Sequence, residues 1–279
     1  MKENTIIKHL ICPCCNSGMS VSDDDKSLAC LGERRHCYDF SSKGYINLAG
    51  SRGISGDSKE AVVARSDFLN KGYYSPIADT LVSVLTKYKK NGFVVDAGCG
   101  EGYYTKFVSD AGFETMGIDL SKFAVQSTAS RLKCKSSENT FAAVASVFEI
   151  PIANSCADAV LSIFAPCAEK EVARVLSDDG ILIVVSAGRE HLMGLKQAVY
   201  ATAYENEERA DMPKNMTLVE ERSLVYDVIV NGNNDILNLF SMTPYYWRTS
   251  LNDRDKLSAL ETLTTRIDIN FFVYKKEQL

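Results

Sequence analysis

A short apolar run, FVVDA (residues 93–97), leads directly into three closely spaced glycines and then into an amphipathic stretch. Glycine at Gly98, Gly100 and Gly102 permits a sharp turn and lets a ligand approach the backbone where the next helix begins. Asp119 ends the next apolar run, 17 residues after Gly102, where a carboxylate can accept both hydroxyl groups of a ribose. This order of strand, turn, helix, strand and acid predicts a nucleoside-binding corner in an α/β fold.

Beyond this corner, short apolar runs continue to alternate with amphipathic segments. Such repetition implies right-handed crossovers and a mostly parallel sheet that is covered on both faces. We expect seven strands in all, with a helical insertion at about residues 231–262 between the last two. The predicted strands cover residues 93–97, 115–119, 141–145, 159–165, 180–186, 224–230 and 267–275.

Acidic residues around the glycine turn indicate which cofactor it holds. Asp96 precedes the first glycine and Glu101 lies within the turn, so they would repel a pyrophosphate but attract an ammonium and a sulfonium. The spacing G-x-G-x-G also differs from the G-x-G-x-x-G of dinucleotide-binding folds. We therefore predict S-adenosylmethionine in preference to a dinucleotide. The predicted binding residues are Asp96, Gly98, Gly100, Glu101, Gly102 and Asp119.

The N-terminal segment is rich in cysteine. Five of the nine cysteines fall within the first 37 residues, and Cys12 and Cys15 form a C-x2-C pair. Cys30 and His36 supply a second pair of ligands, and the four residues together fit a closed tetrahedral Zn²⁺ site. Zinc would also stabilise a segment that is too short to bury a core of its own.

The identity of two of these ligands stays open. Cys14 can replace Cys15, and Cys37 can replace His36, because the adjacent thiols satisfy nearly the same spacing. A redox role for the C-x2-C pair is disfavoured, since that motif is expected at the start of a helix in a βαβ unit and none is near. A site with four protein ligands leaves no open position, so we expect a structural or recognition role.

Composition divides the chain into three parts. We predict a zinc-binding module at residues 1–40, a linker and helical bridge at 41–90, and a methyltransferase domain at 91–279. No apolar stretch is long enough to cross a bilayer and no secretory leader is recognisable, so we expect a cytoplasmic protein without a membrane partner.

Taken together, these motifs give the chain a resemblance to the bacterial 23S rRNA guanine-N1 methyltransferases, the RlmA family, almost from end to end. The resemblance rests on CPCC (12–15), KGYINL (43–48), VVDAGCGEGYYT (94–105), FAPC (164–167) and MTPYYWR (242–248). It implies a Rossmann-like class I S-adenosylmethionine methyltransferase with a small N-terminal zinc module that recognises RNA.

The same resemblance implies a substrate and an assembly. The substrate would be a guanine in a domain II hairpin of 23S rRNA, the enzyme would be a homodimer, and its activity would affect susceptibility to tylosin-type macrolides. To the cofactor-binding residues the resemblance adds Tyr104, Leu120, Ala145 and Ser146.

Candidate catalytic residues follow the fourth predicted strand or lie in the insertion. Phe164, Pro166 and Cys167 belong to FAPC. Trp247 follows Tyr245 and Tyr246 in an aromatic cluster, and these residues and Phe164 could stack on an unpaired base. Core packing is the alternative for each aromatic residue. His191 is a candidate general base, although a helix position on a polar face is the favoured interpretation.

Positive charge for RNA binding is expected in the first 90 residues, which carry 13 basic against 10 acidic side chains in a chain of net charge −5. The candidate phosphate contacts are Arg34, Arg35, Lys43, Arg52, Lys59 and Arg65.

Three alternative functions stay open. Cys167 could be the nucleophile of a C5-cytosine RNA methyltransferase. A small-molecule methyltransferase would share the cofactor turn but would give no reason for the zinc module. A zinc-dependent binding module without catalysis is the third.

Overall fold

An eight-stranded β-sheet forms the centre of the chain in a computed structural model that describes residues 4–49, 56–207, 213 and 215–277. Within these residues the strands are β1 (Met19–Val21), β2 (Ser27–Cys30), β3 (Cys37–Asp39), β4 (Ile46–Asn47), β5 (Phe93–Ala97), β6 (Glu114–Asp119), β7 (Thr140–Val144), β8 (Ala157–Ile163), β9 (Leu176–Ala187), β10 (Met216–Asn231) and β11 (Thr262–Lys276). The helices are α1 (Lys59–Leu69), α2 (Ser75–Tyr88), α3 (Tyr103–Asp110), α4 (Lys122–Arg131), α5 (Glu169–Val175), α6 (Met193–Val199), α7 (Asn233–Ser241) and α8 (Leu251–Ser258).

The strands of the large sheet run in the order β10-β11-β9-β8-β5-β6-β7-β4. Neighbouring strands from β9 through β4 are parallel, whereas β11 is antiparallel to both β9 and β10. β5 and β7 are buried along their whole length, which explains why each contains a single polar residue, Asp96 in β5 and Thr140 in β7. The mostly parallel sheet predicted from the sequence is confirmed, and the seven expected strands are all present.

The eighth strand comes from a stretch that we predicted to be linker. Ile46 and Asn47 pair in parallel with Ala143 and Val144 at the edge of the sheet. A two-residue strand between Ser- and Gly-rich segments has too little periodicity to be recognised, and it forms here because the buried Ile46 side chain fills the edge of the core.

The N-terminal residues pack on one face of the large sheet. Leu10 and Leu28 belong to the same apolar cluster as Phe141 of β7. The His9 ring stacks on Phe93, with ring centroids 4.8 Å apart. The segment predicted as a zinc module therefore shares a core with the sheet, while α2, α3, α6 and α7 contribute to the apolar cluster on the other face.

Of the helices in the described part of the chain, none combines the length and the apolar character needed to span a bilayer.

Candidate functional site

A cavity of about 1270 Å³ lies at the carboxyl ends of β5, β6, β8 and β9. The order of the strands reverses at β5, since β6 lies on one side of it and β8 on the other. Crevices at such a switch point are where open α/β sheets bind ligands. We call the part formed by Asp96, Gly98–Glu101, Asp119 and Leu120 the acidic half of the cavity. The aromatic half is formed by Phe164, His191, Lys196, Tyr200, Tyr204, Tyr245 and Trp247.

The turn after β5 brings backbone, rather than side chains, to the acidic half. Gly98 and Gly100 have φ angles of +87° and +55°, in the left-handed region that favours glycine. A Cβ atom at Gly98 would lie 2.7 Å from the Cβ atom of Ala165, so the turn also packs closely on the segment after β8.

Asp119 connects the turn to the next strand. One carboxylate oxygen accepts the backbone N–H of Gly100 at 3.1 Å, and the other accepts the N–H of Ser121 at 2.7 Å. Burial raises the pKa of the Asp119 carboxyl from its ordinary value. Asp119 therefore orders the glycine turn and presents a carboxylate to the cavity.

Asp96 is buried and only partly satisfied. Its Oδ2 accepts a hydrogen bond from Thr105 Oγ1 at 2.6 Å, whereas Oδ1 has no partner in the described residues. Burial, with the added negative charges of Glu101 and Asp119, raises the pKa of Asp96 to about 7. An unpaired oxygen among carboxylates suits a cationic ligand, because all three acidic groups attract a positive charge placed there.

Arg65 enters the cavity wall although we predicted it to contact RNA phosphates. Its guanidinium lies 2.5 Å from Asp57 and 3.9 Å from Glu101. Nothing in the sequence near the glycine turn signals this contact, since α1 approaches from more than 30 residues earlier in the chain. Of the other candidates for phosphate contact, Arg34, Arg35, Lys43 and Lys59 are exposed, and Arg52 lies outside the described residues.

The remaining predicted cofactor residues divide into two groups. Tyr104 and Leu120 line the cavity. Gly102, Ala145 and Ser146 are not among its lining residues. A Cβ atom at Gly102 would lie 2.8 Å from Thr128 Oγ1, so this glycine allows α3 to pack on α4. The cavity is lined instead by the two residues after Ser146, Val147 and Phe148, which we did not predict.

The predicted catalytic residues also differ in position. Phe164, Pro166 and Trp247 line the aromatic half, and Trp247 is 79% exposed at its rim. Cys167 does not line the cavity, because its side chain packs, partly buried, against the apolar cluster that contains the N-terminal segment. A nucleophilic role for Cys167 therefore lacks the required position.

His191 is buried in the cavity wall and not on the polar face of a helix as we expected. Its Nδ1 accepts the backbone N–H of Asp268 at 3.3 Å, and Nε2 lies 3.5 Å from the Tyr74 hydroxyl. Burial, with a smaller effect of the nearby Lys196 charge, lowers the pKa of His191 to about 3. The ring is therefore neutral with its proton on Nε2, which leaves no free lone pair to act as a general base.

Three buried side-chain atoms of the described residues lack a hydrogen-bond partner: Asp96 Oδ1, the Tyr104 hydroxyl and the Tyr245 hydroxyl. All three residues line this one cavity. Buried polar groups are almost always paired in folded proteins, so three exceptions in one place indicate groups that bind a ligand.

The N-terminal ligand atoms predicted from sequence lie close together. The potential metal ligand atoms of Cys12, Cys15, Cys30 and His36, three Sγ atoms and a ring nitrogen, all lie within 4.8 Å of one another. Cys12 Sγ and Cys30 Sγ are each 3.5 Å from His36 Nδ1, and Cys15 Sγ is 3.8 Å from Cys30 Sγ. Tetrahedral ligands at zinc–sulfur and zinc–nitrogen distances would lie about 3.5–3.8 Å apart, so this donor set suits Zn²⁺. The exposed Cys14 and Cys37 are outside the group.

Similarity to known proteins agrees with this geometry. Residues 88–242 match the family model of a methyltransferase domain. The 23S rRNA (guanine(748)-N1)-methyltransferase of Streptomyces fradiae is 30% identical over 71% of this chain and 70% of its own length. A Bacillus subtilis (strain 168) protein provisionally named 23S rRNA (guanine-N1)-methyltransferase YxjB is 28% identical over 99% of this chain and 100% of its own. The chain belongs to this family of 23S rRNA (guanine-N1)-methyltransferases.

The methyltransferase fold extends to solved structures of low sequence identity. A provisionally named methyltransferase from Bacillus halodurans C-125 superposes with a TM-score of 0.50 and 12% identity, over 71% of this chain and 98% of that chain. The domain model covers the acidic half of the cavity but neither the cysteine cluster nor Trp247.

Proposed function

We propose that the protein transfers the methyl group of S-adenosylmethionine to N1 of a guanine in a domain II hairpin of 23S rRNA. One observation carries the proposal: a single cavity joins an acidic half to an aromatic half, in a chain that aligns along its whole length with a relative named for this reaction. The S. fradiae relative is named for methylation of guanine 748 of 23S rRNA at N1.

The acidic half is suited to hold the cofactor. Asp119 would accept the ribose hydroxyls, and Gly98 and Gly100 would allow the backbone to approach the ligand. The unpaired Oδ1 of Asp96 would accept a hydrogen bond from the ammonium group of S-adenosylmethionine, while Arg65 would bind the carboxylate of the cofactor. When bound, S-adenosylmethionine supplies an electrophilic methyl group on a sulfonium sulfur.

The aromatic half is suited to hold a guanine that has left its RNA stack. Neutral guanine carries a proton on N1, so N1 must lose it before or during methyl transfer. Phe164 and Trp247 would stack on the base and hold it in the cavity, with N1 towards the acidic half. Most of the rate enhancement would then come from positioning N1 close to the methyl group.

The cysteine cluster would bind structural Zn²⁺ and support RNA recognition. Arg34 and Arg35 are exposed beside it and would contact phosphates. Metal analysis of the purified protein should give one zinc per chain, and Cys12→Ser should release it. Because Cys12 belongs to the core shared with the sheet, zinc loss should also lower the melting temperature of the whole chain. A Cys37→Ser variant is the control and should keep its zinc.

We also propose a homodimer, in keeping with the family resemblance. The edge strand β10 exposes Val219, Val225 and Ile229, which would be available for burial between two copies. Light scattering should give twice the mass of one chain, and Val225→Lys combined with Ile229→Lys should reduce it to that of one chain.

The activity is tested by incubating the protein with methyl-tritiated S-adenosylmethionine and 23S rRNA from a strain that lacks the gene. We expect label in N1-methylguanosine within the domain II hairpin, and the deletion strain to change in tylosin susceptibility. Asp119→Ala should abolish the transfer. Absence of label in RNA with the wild-type protein would refute the proposal.

A further inference from the structure

Lys196 is a buried cation in the wall of the aromatic half. It is 1% exposed and belongs to α6, which follows the carboxyl end of β9. Its Nζ donates to the backbone oxygen of Tyr204 at 2.9 Å and to Asn206 Oδ1 at 2.7 Å. No carboxylate of the described residues lies within ion-pair distance of it, although buried lysines usually have such a partner.

Two donor positions near the cavity are therefore available to a ligand. An ammonium group has three N–H donors, and the contacts to Tyr204 and Asn206 use two of them. Lys196 Nζ lies 4.4 Å from the centroid of the Tyr204 ring and 5.9 Å from that of the Tyr245 ring. The buried Tyr245 hydroxyl has no hydrogen-bond partner among the described residues. The neighbouring Thr243 hydroxyl donates its proton to the Phe240 carbonyl oxygen at 2.6 Å and therefore does not donate it to the Tyr245 oxygen.

The electrostatic surroundings favour an anionic or carbonyl oxygen at this position. Burial lowers the pKa of Lys196, which means that its charge would be stabilised by a ligand that becomes negative. His191 is neutral, and Glu205 is paired with Arg189 at 2.9 Å. Other titratable groups on the surrounding elements include Tyr74, Tyr200, Tyr204, Glu207 and Arg248 in the cavity lining, Lys256 on α8, and Arg266 and Asp268 on β11.

In the proposed function the group that enters the aromatic half is a guanine base that has left its stack, rather than an RNA phosphate. Guanine instead carries a carbonyl oxygen, O6, next to N1. As N1 loses its proton, negative charge moves onto O6, and a donor placed there is more favourable in the transition state than in the ground state.

Building on the proposed function, we propose that Lys196 and the Tyr245 hydroxyl bind O6 of the target guanine and stabilise the charge that develops on it. The N1 proton passes to water at the mouth of the cavity. N1 then forms a bond to the methyl carbon, and the electrons of the broken S–C bond stay on sulfur. O6 returns to a neutral carbonyl in the N1-methylguanine product.

A purely structural role is the competing explanation, because Lys196 also fastens residues 204–206 to α6. Asn206→Ala is the matched control, since it removes one of the two contacts, together with the hydrogen bonds of its amide to the Gly188 and His191 carbonyl oxygens, and keeps the ammonium. Tyr245→Phe removes a hydroxyl that bonds to no described residue, so it should leave stability unchanged. Tyr88→Phe, which removes a hydroxyl bonded to Glu220 away from the cavity, is its control.

The experiment measures single-turnover methyl transfer to a 23S rRNA domain II fragment as a function of pH, with thermal unfolding of each variant. We expect Lys196→Met to lower the rate about 100-fold near neutral pH. The loss should shrink as the pH approaches the pKa of guanosine N1, because the base then ionises without help. Lys196→Arg should restore part of the rate, Tyr245→Phe should lower it about tenfold, and Asn206→Ala should keep the pH profile of the wild type.

The outcomes separate the two proposals. Absence of transfer by the wild-type protein would refute the proposed function itself. Normal transfer with equal, pH-independent losses in Lys196→Met and Asn206→Ala would overturn only the role of Lys196. A third result would identify Lys196 as a general base: Lys196→Arg restores no rate, and the part of the pH–rate profile that requires a neutral amine shifts. That result would also overturn the proposed role of Lys196.

Discussion

The two halves of the cavity differ in which parts of the chain line them. The acidic half comes from one contiguous strand–turn–helix unit and the end of the next strand, and much of its surface is backbone. The aromatic half consists of side chains from the segment after β8, from α6 and its flanks, and from the insertion between β10 and β11. The first half depends on local conformation, and the second depends on long-range packing.

This difference predicts how each half responds to substitution. A change in the acidic half should affect cofactor binding through the shape of the backbone. A change in the aromatic half should affect RNA or the chemical step and leave cofactor affinity nearly unchanged. The following variants test this separation.

Gly100→Val should have the largest effect. The residue has φ +55° at the point where the backbone would approach the ligand, so a branched side chain would both strain the turn and fill the approach. We expect affinity for S-adenosylhomocysteine to fall more than about 100-fold, or about 2.7 kcal/mol, by isothermal titration calorimetry.

The control for this variant is Gly112→Val. Gly112 has φ +94°, and nothing lies within 4 Å of its would-be Cβ atom. Both variants should lose about 1–3 kcal/mol of stability from backbone strain, but only Gly100→Val should lose cofactor affinity. Equal affinities in the two variants would mean that the turn does not contact the cofactor.

Asp96→Asn should have the second largest effect and should change a pH dependence. Because the pKa of Asp96 is about 7 in the free protein, cofactor affinity of the wild type should fall as the pH drops through 7 and should be constant above it. Asp96→Asn should lower the affinity about 10- to 100-fold above pH 7 and remove this dependence. Calorimetry at several pH values measures both effects.

The stability of the free protein gives an independent check on Asp96. Its pKa is raised on folding, so the folded state binds the extra proton and the free energy of unfolding should decrease as the pH rises from about 4 to about 7. Asp96→Asn should therefore be more stable than the wild type above pH 7 in urea unfolding. A less stable variant would contradict the raised pKa.

The same contrast explains what could be predicted from the sequence. The acidic half could be predicted from the sequence because Asp96, Gly98, Gly100 and Asp119 follow one another at fixed spacing around a strand end. The four N-terminal ligands could be predicted for a similar reason, since a tetrahedral metal site constrains the spacing of its ligands along the chain. In both cases the residues that carry the chemistry lie within a short stretch of chain.

The aromatic half could be predicted only in part from the sequence. Phe164 and Trp247 stood out as aromatic residues near a strand end or in a cluster, but nothing local marks Lys196 or the burial of His191. Their positions depend on α6 packing against β11, a strand about 70 residues later in the chain. Ile46 likewise joins the sheet only through its distant partner in β7.

Trp247→Ala should have a smaller effect, confined to RNA. The side chain is 79% exposed at the rim of the aromatic half, so stacking on a base there should contribute about 1 kcal/mol. We expect KM for RNA to rise about five- to tenfold while cofactor affinity stays constant. Leu251→Ala, 73% exposed but outside the cavity, should change neither. A loss of cofactor affinity in Trp247→Ala would erase the distinction between the two halves.

Cys167→Ser should have the smallest effect of all, even though it adjoins Pro166 in the cavity wall. A nucleophilic thiolate must reach the base, whereas the Cys167 side chain packs on the opposite side of the segment against the N-terminal core. We therefore expect transfer within about twofold of the wild type and a stability loss below about 1 kcal/mol. A loss of more than about 100-fold in a folded variant, with 5-methylcytidine as the product, would instead establish covalent C5 chemistry. Because N1 methylation needs no enzyme–base bond, a near-normal rate with N1-methylguanosine as the product leaves positioning and electrostatics in the aromatic half as the source of catalysis.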